Sequence, residues 1–423
     1  MADQPYADLY NALGTVHAAP LRGRLVLERG DVDLDAASPT VSTPWRDLSQ
    51  REIKRGVLTM ALRPEDDEGA RIELGEFTCD DEGYLDDTLE LSRYGLEPGH
   101  YVFEAFLEGE QVGWASARLL AEDHRGLVVR SDIDKTYLDT RFESRREALG
   151  LLTQPATRRA VLPAMAEVYR ALQRGEEGDA DLPMVFLSGS PRFFKRVLEA
   201  RLLLDGIHQS GLFLKPFKSI AARKLSDFSV RSVIPALKAQ VGYKLTWLLI
   251  GRFHLPQMVP ELLMGDDSEA DFVIYNLYAR LTSGELAPEA LSEALEALRV
   301  AEFWRVRIEA LAPRLVEWLD GFRPVRAIYI NLTGQASGRH ETSDWSLPEL
   351  TRIHEGAWPL ILDLREEGLV AAEAVTRVRR RLEELGATEA ALEAHARHAL
   401  EGGVIAAETF DRHHGEPSPQ PHP

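Results

Sequence analysis

Gly126-Leu127-Val128-Val129-Arg130-Ser131-Asp132-Ile133-Asp134-Lys135-Thr136 is the stretch that decides the fold. A short, mostly apolar run ends at Asp132, and a second aspartate follows at i+2. A helical stretch is expected from Gln154 to Gln173. Another buried-strand run, Met184–Leu187, then ends at Ser188. Similar runs at Leu262–Met264, closing on Gly265-Asp266, and at Val325–Ile330 continue the pattern. Strands alternating with helices predict a parallel α/β sheet. Polar residues recur where the strands end, and that carboxyl edge is where open α/β sheets bind ligands.

Upstream, the pattern is different. Arg24–Glu28, Gly56–Leu62, Arg71–Phe77, Tyr101–Leu107 and Trp114–Leu120 alternate apolar and polar residues, with turn residues between them. Period-two alternation at that spacing predicts a small β-sandwich. Downstream, Ser346 to about Phe410 reads as helical, with Gly386 as a stop and Thr388 as the next N-cap. The tail from His413 has almost nothing apolar to bury and is expected to be disordered. The expected organisation is a leader and β-sandwich at 1–122, a catalytic domain at 123–335 with a helical insertion near 285–319, a helical region at 336–412 and a tail at 413–423.

Two carboxylates just past a strand end can converge on one point, so that one attacks while the other handles protons. Ser188, followed by Gly189, Ser190 and Pro191, sits at a strand-to-helix turn where a hydroxyl and backbone N–H groups suit a phosphate oxygen. Lys244 offers a fixed positive charge. Asp266, Asp267 and Asp271 offer carboxylates for a hard cation such as Mg²⁺. Taken singly, each has a structural reading as well: a helix cap, a solvated lysine, an exposed acidic turn. Their order along the chain, with three at strand ends, favours a site.

This order resembles the haloacid dehalogenase superfamily of aspartate-nucleophile phosphotransferases. Within it, the chain resembles the phosphatidate phosphatase family named after an actin patch protein. That family's SDIDDT-like, SNSP-like, lysine and GDSG-like motifs are matched by Ser131–Thr136, Leu187–Pro191, Lys244 and Gly265–Tyr275. Asp81–Leu85 resembles an acidic-glycine-aromatic turn that precedes the family's catalytic domain, and Ala327–Ile330 resembles its next strand. The resemblance spans about Leu21 to Leu332.

The resemblance implies a HAD-like Rossmannoid parallel sheet with helices on both faces, preceded by the sandwich and followed by the helical segment. It implies a phosphatase in which Asp132 is the nucleophile forming an aspartyl-phosphate and Asp134 the acid and base. Thr136, Ser188 and Lys244 would bind the phosphate. Asp132, the backbone carbonyl of Asp134, and Asp266 would hold Mg²⁺. Asp267, Asp271 and Ser190 would support them. The implied substrate is phosphatidate, an anionic lipid met at a membrane surface. Another phosphomonoester, such as a nucleic-acid end or a phosphoprotein, and a non-catalytic binding module on the same scaffold are the alternatives.

The chain departs from the family pattern in several places. Lys135 replaces a third aspartate, and Phe272-Val273 replace a Pro-Glu pair. Arg130 stands at an apolar strand position, where it is expected to snorkel or find an acidic partner. The short span between Thr136 and Met184 leaves room for a flap and one helix, but no cap domain.

Composition bounds these readings. The 423 residues are 44% hydrophobic and 28% charged, as in soluble globular proteins of two to four domains. A formal net charge of −19 argues against a protein that coats nucleic acid. A single cysteine, Cys79, excludes a disulfide framework and cysteine-based zinc sites. No apolar run approaches the ~18 residues of a membrane span, and the first residues lack a signal-peptide pattern, so a cytoplasmic protein is expected.

The charge is uneven. From Pro191 to Arg252 twelve basic residues face three acids, giving +9 against −28 for the rest. Phe193, Phe194, Phe213 and Phe217 are interleaved with them. The stretch reads either as a basic surface for an anionic substrate or as solvated faces of core helices. His413 and His414 are expected to have no structural role, and His395 and His398 to be surface residues.

Overall fold

The computed structural model describes residues 3–29, 50–67, 69–140, 153–215, 233–268, 270–333 and 346–414, with Pro44 and Asp47 between the first two. The elements in chain order begin with nine strands: β1 (Asp3–Leu9), β2 (Ala12–Thr15), β3 (Ala18–Arg29), β4 (Arg51–Glu52), β5 (Val57–Pro64), β6 (Ile72–Thr78), β7 (Tyr84–Glu90), β8 (Gly99–Leu107) and β9 (Glu110–Leu120). They form two sheets. In one, β3 pairs with β1, β4 and β7; the other has the order β2-β9-β8-β5-β6. Leu21 and Leu25 of the first sheet share a core with Leu58, Met60 and Phe103 of the second. This is the expected sandwich. Each of the five quoted alternating segments overlaps one of these strands. Buried Cys79 lies in that core, and burial pushes its thiol up to about 11.

The second unit alternates strands and helices: β10 (Val128–Ser131), α1 (Met165–Arg174), β11 (Met184–Pro191), α2 (Lys195–Leu204), β12 (Gly211–Lys215) and α3 (Val233–Phe253). Then come β13 (Glu261–Asp266), α4 (Asp271–Thr282), α5 (Pro288–Ala297), α6 (Glu302–Leu319), β14 (Val325–Asn331) and β15 (Thr351–His354). Helices α7 (Ala357–Glu366), α8 (Ala372–Glu384), α9 (Glu389–Glu401) and α10 (Ala407–His414) complete the described chain. The six strands run parallel in the order β12-β11-β10-β13-β14-β15. The chain leaves β10 first to one side and then to the other, so the order reverses between β10 and β13. Ligands of open α/β sheets bind at that reversal.

Alternation along the strands divides the interior between two faces. Val129, Phe186, Leu262, Met264 and Tyr329 pack with α1, α2 and α7–α9. Val128, Val185, Leu187, Leu263, Ile328 and Ile330 pack with α3–α6. A parallel sheet needs cover on both faces, because its strands are apolar on both sides. The insertion helices α5 and α6 belong to one cover and the C-terminal helices to the other. The helical reading of 336–412 therefore needs one correction. Thr351–His354 forms the sixth strand, register-matched to Ile328–Asn331, and the helices that follow close the sheet's own core. Thr388 does cap α9, accepting the amide of Ala391 at 3.3 Å.

The histidine expectations divide. His398 is exposed beside Glu355. By contrast, α10 runs through His413 and His414, and both rings pack edge-on against Trp358. The Trp358 indole N–H donates to His414 Nε2 at 3.0 Å. These two residues thus lock the last helix onto α7, which corrects the reading of them as structurally idle. Residues 415–423 lie outside the described residues.

The sandwich is fastened to the α/β unit by ion pairs. Lys195 Nζ lies 2.8 Å from Asp8, and Arg196 makes a two-pronged contact with Glu28 at 2.8 and 2.9 Å. Arg192 reaches Asp86 at 3.5 Å and stacks over Tyr84, the aromatic residue of the acidic turn. Burial pushes the Asp8 carboxyl upward, but Lys195 and Arg196 together hold it below the ordinary carboxylate range.

These contacts overturn both readings of the basic stretch for its described side chains. Arg201 is paired with Asp205, Lys215 and Arg252 are buried, and Lys244 lies inside the site. They are internal cations, neither a surface for an anionic ligand nor a solvated helix face. Lys218, Arg223, Lys224, Arg231, Phe217 and the side chain of Lys238 lie outside the described residues. Among the described residues, no helix is long and apolar enough to cross a membrane.

Candidate active site

Asp132 follows β10 immediately, and its amide donates to Met264 O on β13 at 2.8 Å. That bond fixes the residue at the point where strand order reverses. The chain then turns sharply. Lys135 adopts a left-handed conformation (φ 63°), and Asp134 and Leu138 form an isolated bridge. Asp132 and Asp134 thereby face different neighbours.

Asp132 faces a lysine. Lys244 stands on α3, and its Nζ lies 2.7 Å from Asp132 Oδ1 and 2.6 Å from Asp271 Oδ1. All three residues are fully buried. Thr136 Oγ1 donates to Asp132 Oδ2 at 3.3 Å. Asp271 opens α4, close against the end of β13, because Gly265 leaves space for it. A Cβ at Gly265 would sit 2.6 Å from Asp271 Cβ and 2.7 Å from the Tyr275 ring.

Asp134 faces the serines. Ser188 Oγ and Ser190 Oγ donate to its Oδ2 at 3.0 and 2.8 Å, and the Ser190 amide donates to Ser188 Oγ at 3.0 Å. Gly189 between them packs closely against the amide end of Gln240, which a Cβ there would meet at 2.7 Å.

The carboxylates that could hold a metal ion lie on the Asp132 side. Carboxylate oxygens of Asp132, Asp266 and Asp271 all fall within 4.8 Å of one another, and the three residues are buried. Asp266 ends β13 and accepts from the Ser268 amide at 2.6 Å and from its hydroxyl. Asp267 turns the other way. Its Oδ1 accepts the amide and hydroxyl of Thr333 at 2.8 and 2.7 Å, tying the end of β13 to the exit of β14. Asp132, Asp134, Thr136, Ser188, Ser190, Lys244, Asp266 and Asp271 are thus assembled at the carboxyl edge, with Asp267 holding a neighbouring loop.

Three residues at this edge escaped the sequence reading. Asn331 ends β14; its Nδ2 donates to Lys135 O and its Oδ1 accepts the Gly356 amide, both at 3.0 Å. It joins the Asp132–Thr136 turn to the start of α7. The signal was available, since Asn331 is one more polar residue at a strand end. Tyr169 on α1 shares a 2.5 Å hydrogen bond with Ser131 Oγ, and burial drives its phenol far up. Arg159 is buried, with its guanidinium 4.9 Å over the Phe194 ring. Burial lowers its pKa and the charge of Asp134 opposes that shift. No motif marks it in the sequence.

The Arg130 departure also resolves here. Its side chain turns away from the site to the α3 face, where Nη2 lies 2.7 Å from Glu261 and Nη1 donates to Leu248 O at 2.8 Å. Tyr278 donates to the other Glu261 oxygen at 2.6 Å. The arginine has found an acidic partner.

Residues 127–287 match the family described as phosphatidate phosphatase APP1, catalytic domain. This segment belongs to that family. The chain is accordingly an enzyme, a phosphatase. The match takes in all eight residues assembled at the edge and stops just before α5, so the insertion helices, β14, β15 and the C-terminal helices lie beyond it.

No curated protein matches the chain. Among solved structures, the sensor domain of the anti-sigma factor RsgI4 of Pseudobacteroides cellulosolvens is 10% identical over 29% of this chain and 97% of its own, with a TM-score of 0.18. A structure of PhoD is 9% identical over 50% of this chain and 37% of its own, with a TM-score of 0.23. Likenesses at these scores carry no argument about fold or function.

Proposed function

We propose that the chain is a Mg²⁺-dependent phosphatase of the HAD type that converts phosphatidate to diacylglycerol and phosphate through an aspartyl-phosphate on Asp132. The observation that carries this reading is the buried contact of Lys244 with Asp132 and Asp271 at the point where the strand order of the sheet reverses. A carboxylate approaches a phosphate dianion only when positive charge stands beside it. Lys244 supplies such a charge at the attacking oxygen.

In this reading Asp132 attacks phosphorus as the ester P–O bond breaks, and Asp134 protonates the departing alkoxide. Asp134 then takes a proton from the water that attacks the aspartyl-phosphate, and phosphate leaves. The two serine hydroxyls hold Asp134 Oδ2, which assigns the proton transfers to Oδ1. Thr136, Ser188 and Lys244 orient the phosphoryl oxygens.

The residues fit the metal. Asp132, Asp266 and Asp271 offer buried, hard oxygen donors close together, the ligand type that suits Mg²⁺. Asp132, Asp266 and the backbone carbonyl of Asp134 would hold the ion, while Asp271 holds Lys244. When bound, Mg²⁺ supplies positive charge against the phosphate dianion.

We further propose the division 1–122 for the sandwich and 123–335 for the catalytic domain, with the C-terminal region 336–412 completing that domain's sheet and one of its covers. We propose a cytoplasmic location as well, with phosphatidate met at a membrane surface. Turnover should be measured on phosphatidate vesicles, phosphorylated nucleic-acid ends, a phosphoprotein and small phosphate esters, each with and without Mg²⁺. Mg²⁺-dependent release fastest from phosphatidate is the expected result. Faster release from another ester would replace the lipid assignment, and release from none would leave a binding module.

A further inference from the structure

We propose that Asn331 is a positioning residue for Asp134: it ties the turn between Asp132 and Thr136 to the exit of β14 and serves the proton transfers without touching the substrate. The inference rests on the role given to Asp134 above and extends the site to a residue outside the matched segment 127–287.

The turn that carries Asp134 is closed by its own backbone. The amides of Tyr137 and Leu138 both donate to Ile133 O at 2.9 Å, and the Lys135 amide donates to Leu138 O at 2.7 Å. Lys135 is left-handed (φ 63°), a conformation that residues with a side chain seldom adopt. Asn331 reaches this turn from the sheet, its Nδ2 donating to Lys135 O at 3.0 Å. The residue directly after Asp134 is thus gripped at both its amide and its carbonyl. Asn331 is itself firmly placed. It is 4% exposed and register-matched to Asp266 on one side and His354 on the other. Its Oδ1 accepts the Gly356 amide at 3.0 Å, and its backbone carbonyl accepts the Asp267 amide at 3.2 Å.

These contacts separate the two aspartates. Asp132 is set by its own amide on Met264 O and by Lys244. The loop at Asp267 hangs on the Asn331 backbone, which a side-chain substitution leaves in place. Asp134 is gripped at its carboxylate by Ser188 and Ser190 on β11, and through the next peptide by Asn331 on β14. These two strands lie on opposite sides of β10. Removing the Asn331 amide frees the backbone beside Asp134 and leaves the nucleophile and its lysine where they are. A general acid must stand within hydrogen-bond reach of the leaving oxygen, so a small displacement costs rate.

The test compares Asn331→Asp and Asn331→Ala with the wild type on phosphatidate vesicles and on p-nitrophenyl phosphate. The ratio kcat/KM reports phosphoryl transfer to the enzyme. An alkoxide needs the proton that Asp134 gives it, whereas nitrophenolate leaves without one. Asn331→Asp keeps the shape and the acceptor for Gly356 and loses the donor to Lys135 O. Both variants are expected to lose about 10- to 100-fold in kcat/KM on phosphatidate, with KM little changed, and less than about threefold on the nitrophenyl ester. Arg130→Leu, altered on a face of the sheet away from the site, should keep wild-type kcat/KM on both, which separates positioning from stability. Equal losses on the two esters, no loss on phosphatidate, or a loss confined to KM in Asn331→Asp would each overturn the inference. Should Asn331→Ala not fold, Asn331→Asp decides alone. If the wild type prefers another alkyl ester, such as glycerol phosphate, that ester takes the place of phosphatidate. A wild type that cleaves no alkyl ester removes the acid role of Asp134, and both readings fall. A wild type that cleaves both esters while the variants lose equally on them confines the error to Asn331.

Discussion

Lys244 Nζ lies 2.7 Å from Asp132 and 2.6 Å from Asp271, with all three side chains shut off from solvent. One ammonium therefore holds together two carboxylates delivered by different elements, Asp132 from the end of β10 and Asp271 from the start of α4. Lys244→Met would leave those carboxylates buried and facing each other. It is expected to destabilise the protein by about 3–5 kcal/mol, the cost of breaking a buried pair. Urea unfolding measures that loss. Asp132→Asn keeps the shape and removes the proposed nucleophile, so phosphate release should fall by about three orders of magnitude or more. Wild-type turnover in Asp132→Asn ends the nucleophile assignment.

With Mg²⁺ held by the acidic cluster, as proposed, folding stability should depend on the metal. Mg²⁺ at about 100 times its dissociation constant should stabilise the wild type by about 2.7 kcal/mol and raise its melting temperature. Asp266→Asn should lose most of that increment, and chelation should abolish turnover. An equal Mg²⁺ increment in the variant would place the ion elsewhere.

Ser190 contacts Asp134, and its position after Ser188 in β11 makes its role separable from phosphate binding. Ser190→Ala should lower kcat about tenfold and leave KM little changed, because Asp134 is misoriented while the substrate still binds. Steady-state kinetics decide the point. A rise in KM with normal kcat would move Ser190 into substrate binding.

Arg130 stabilises the core but takes no part in the chemistry. Its guanidinium meets Glu261 on the face of the sheet covered by α3 and α4, among buried Leu248 O, Tyr278 and Arg252. Arg130→Leu leaves Glu261 to Tyr278 and Arg252 and should cost about 1–3 kcal/mol in denaturant titrations, with KM unchanged. A variant as stable as the wild type would show that the pair is replaceable by packing.

Between the sandwich and the α/β unit, His254 Nε2 meets Thr88 Oγ1 at 3.2 Å. Burial lowers this imidazole to about 4 from its ordinary 6.5, with Arg130 and Arg22 adding to the shift. The folded state thus binds the proton less readily than the unfolded one. Its contribution is fully present above pH 6.5 and declines toward pH 4, by up to about 3 kcal/mol. His354 behaves likewise, lowered to about 4 by burial. Asp363, raised by burial to about 6, works in the opposite direction over part of the same range. The measurable quantity is the difference between wild type and His254→Gln. Stability measured from pH 7 to pH 4 should fall less steeply in the variant, and identical slopes would exclude His254.

Much of this molecule was legible in one dimension. Alternation in Arg24–Glu28 and Tyr101–Leu107 reads as strand because side-chain period is a local property of the backbone. Apolar runs ending in Asp132, Ser188 and Asp266 place those residues at a sheet edge for the same reason. The short strand Thr351–His354 was missed because it is brief, half-exposed and embedded in helical sequence. Its strand identity comes from pairing with β14, and pairing is not a local property.

Sequence alone determined the kinds of residue at the site, their order, and the alternation of strand and helix that gathers them. Tertiary structure decided what each charge is for. Arg192, Lys195 and Arg196 form one basic run in sequence, yet Asp86, Asp8 and Glu28 lie more than 100 positions away and meet them only after the sandwich docks. Arg159 carries no motif, yet folding buries it with its guanidinium over the Phe194 ring. Charge is written residue by residue, but its energy depends on distance and burial, and the folded chain sets both.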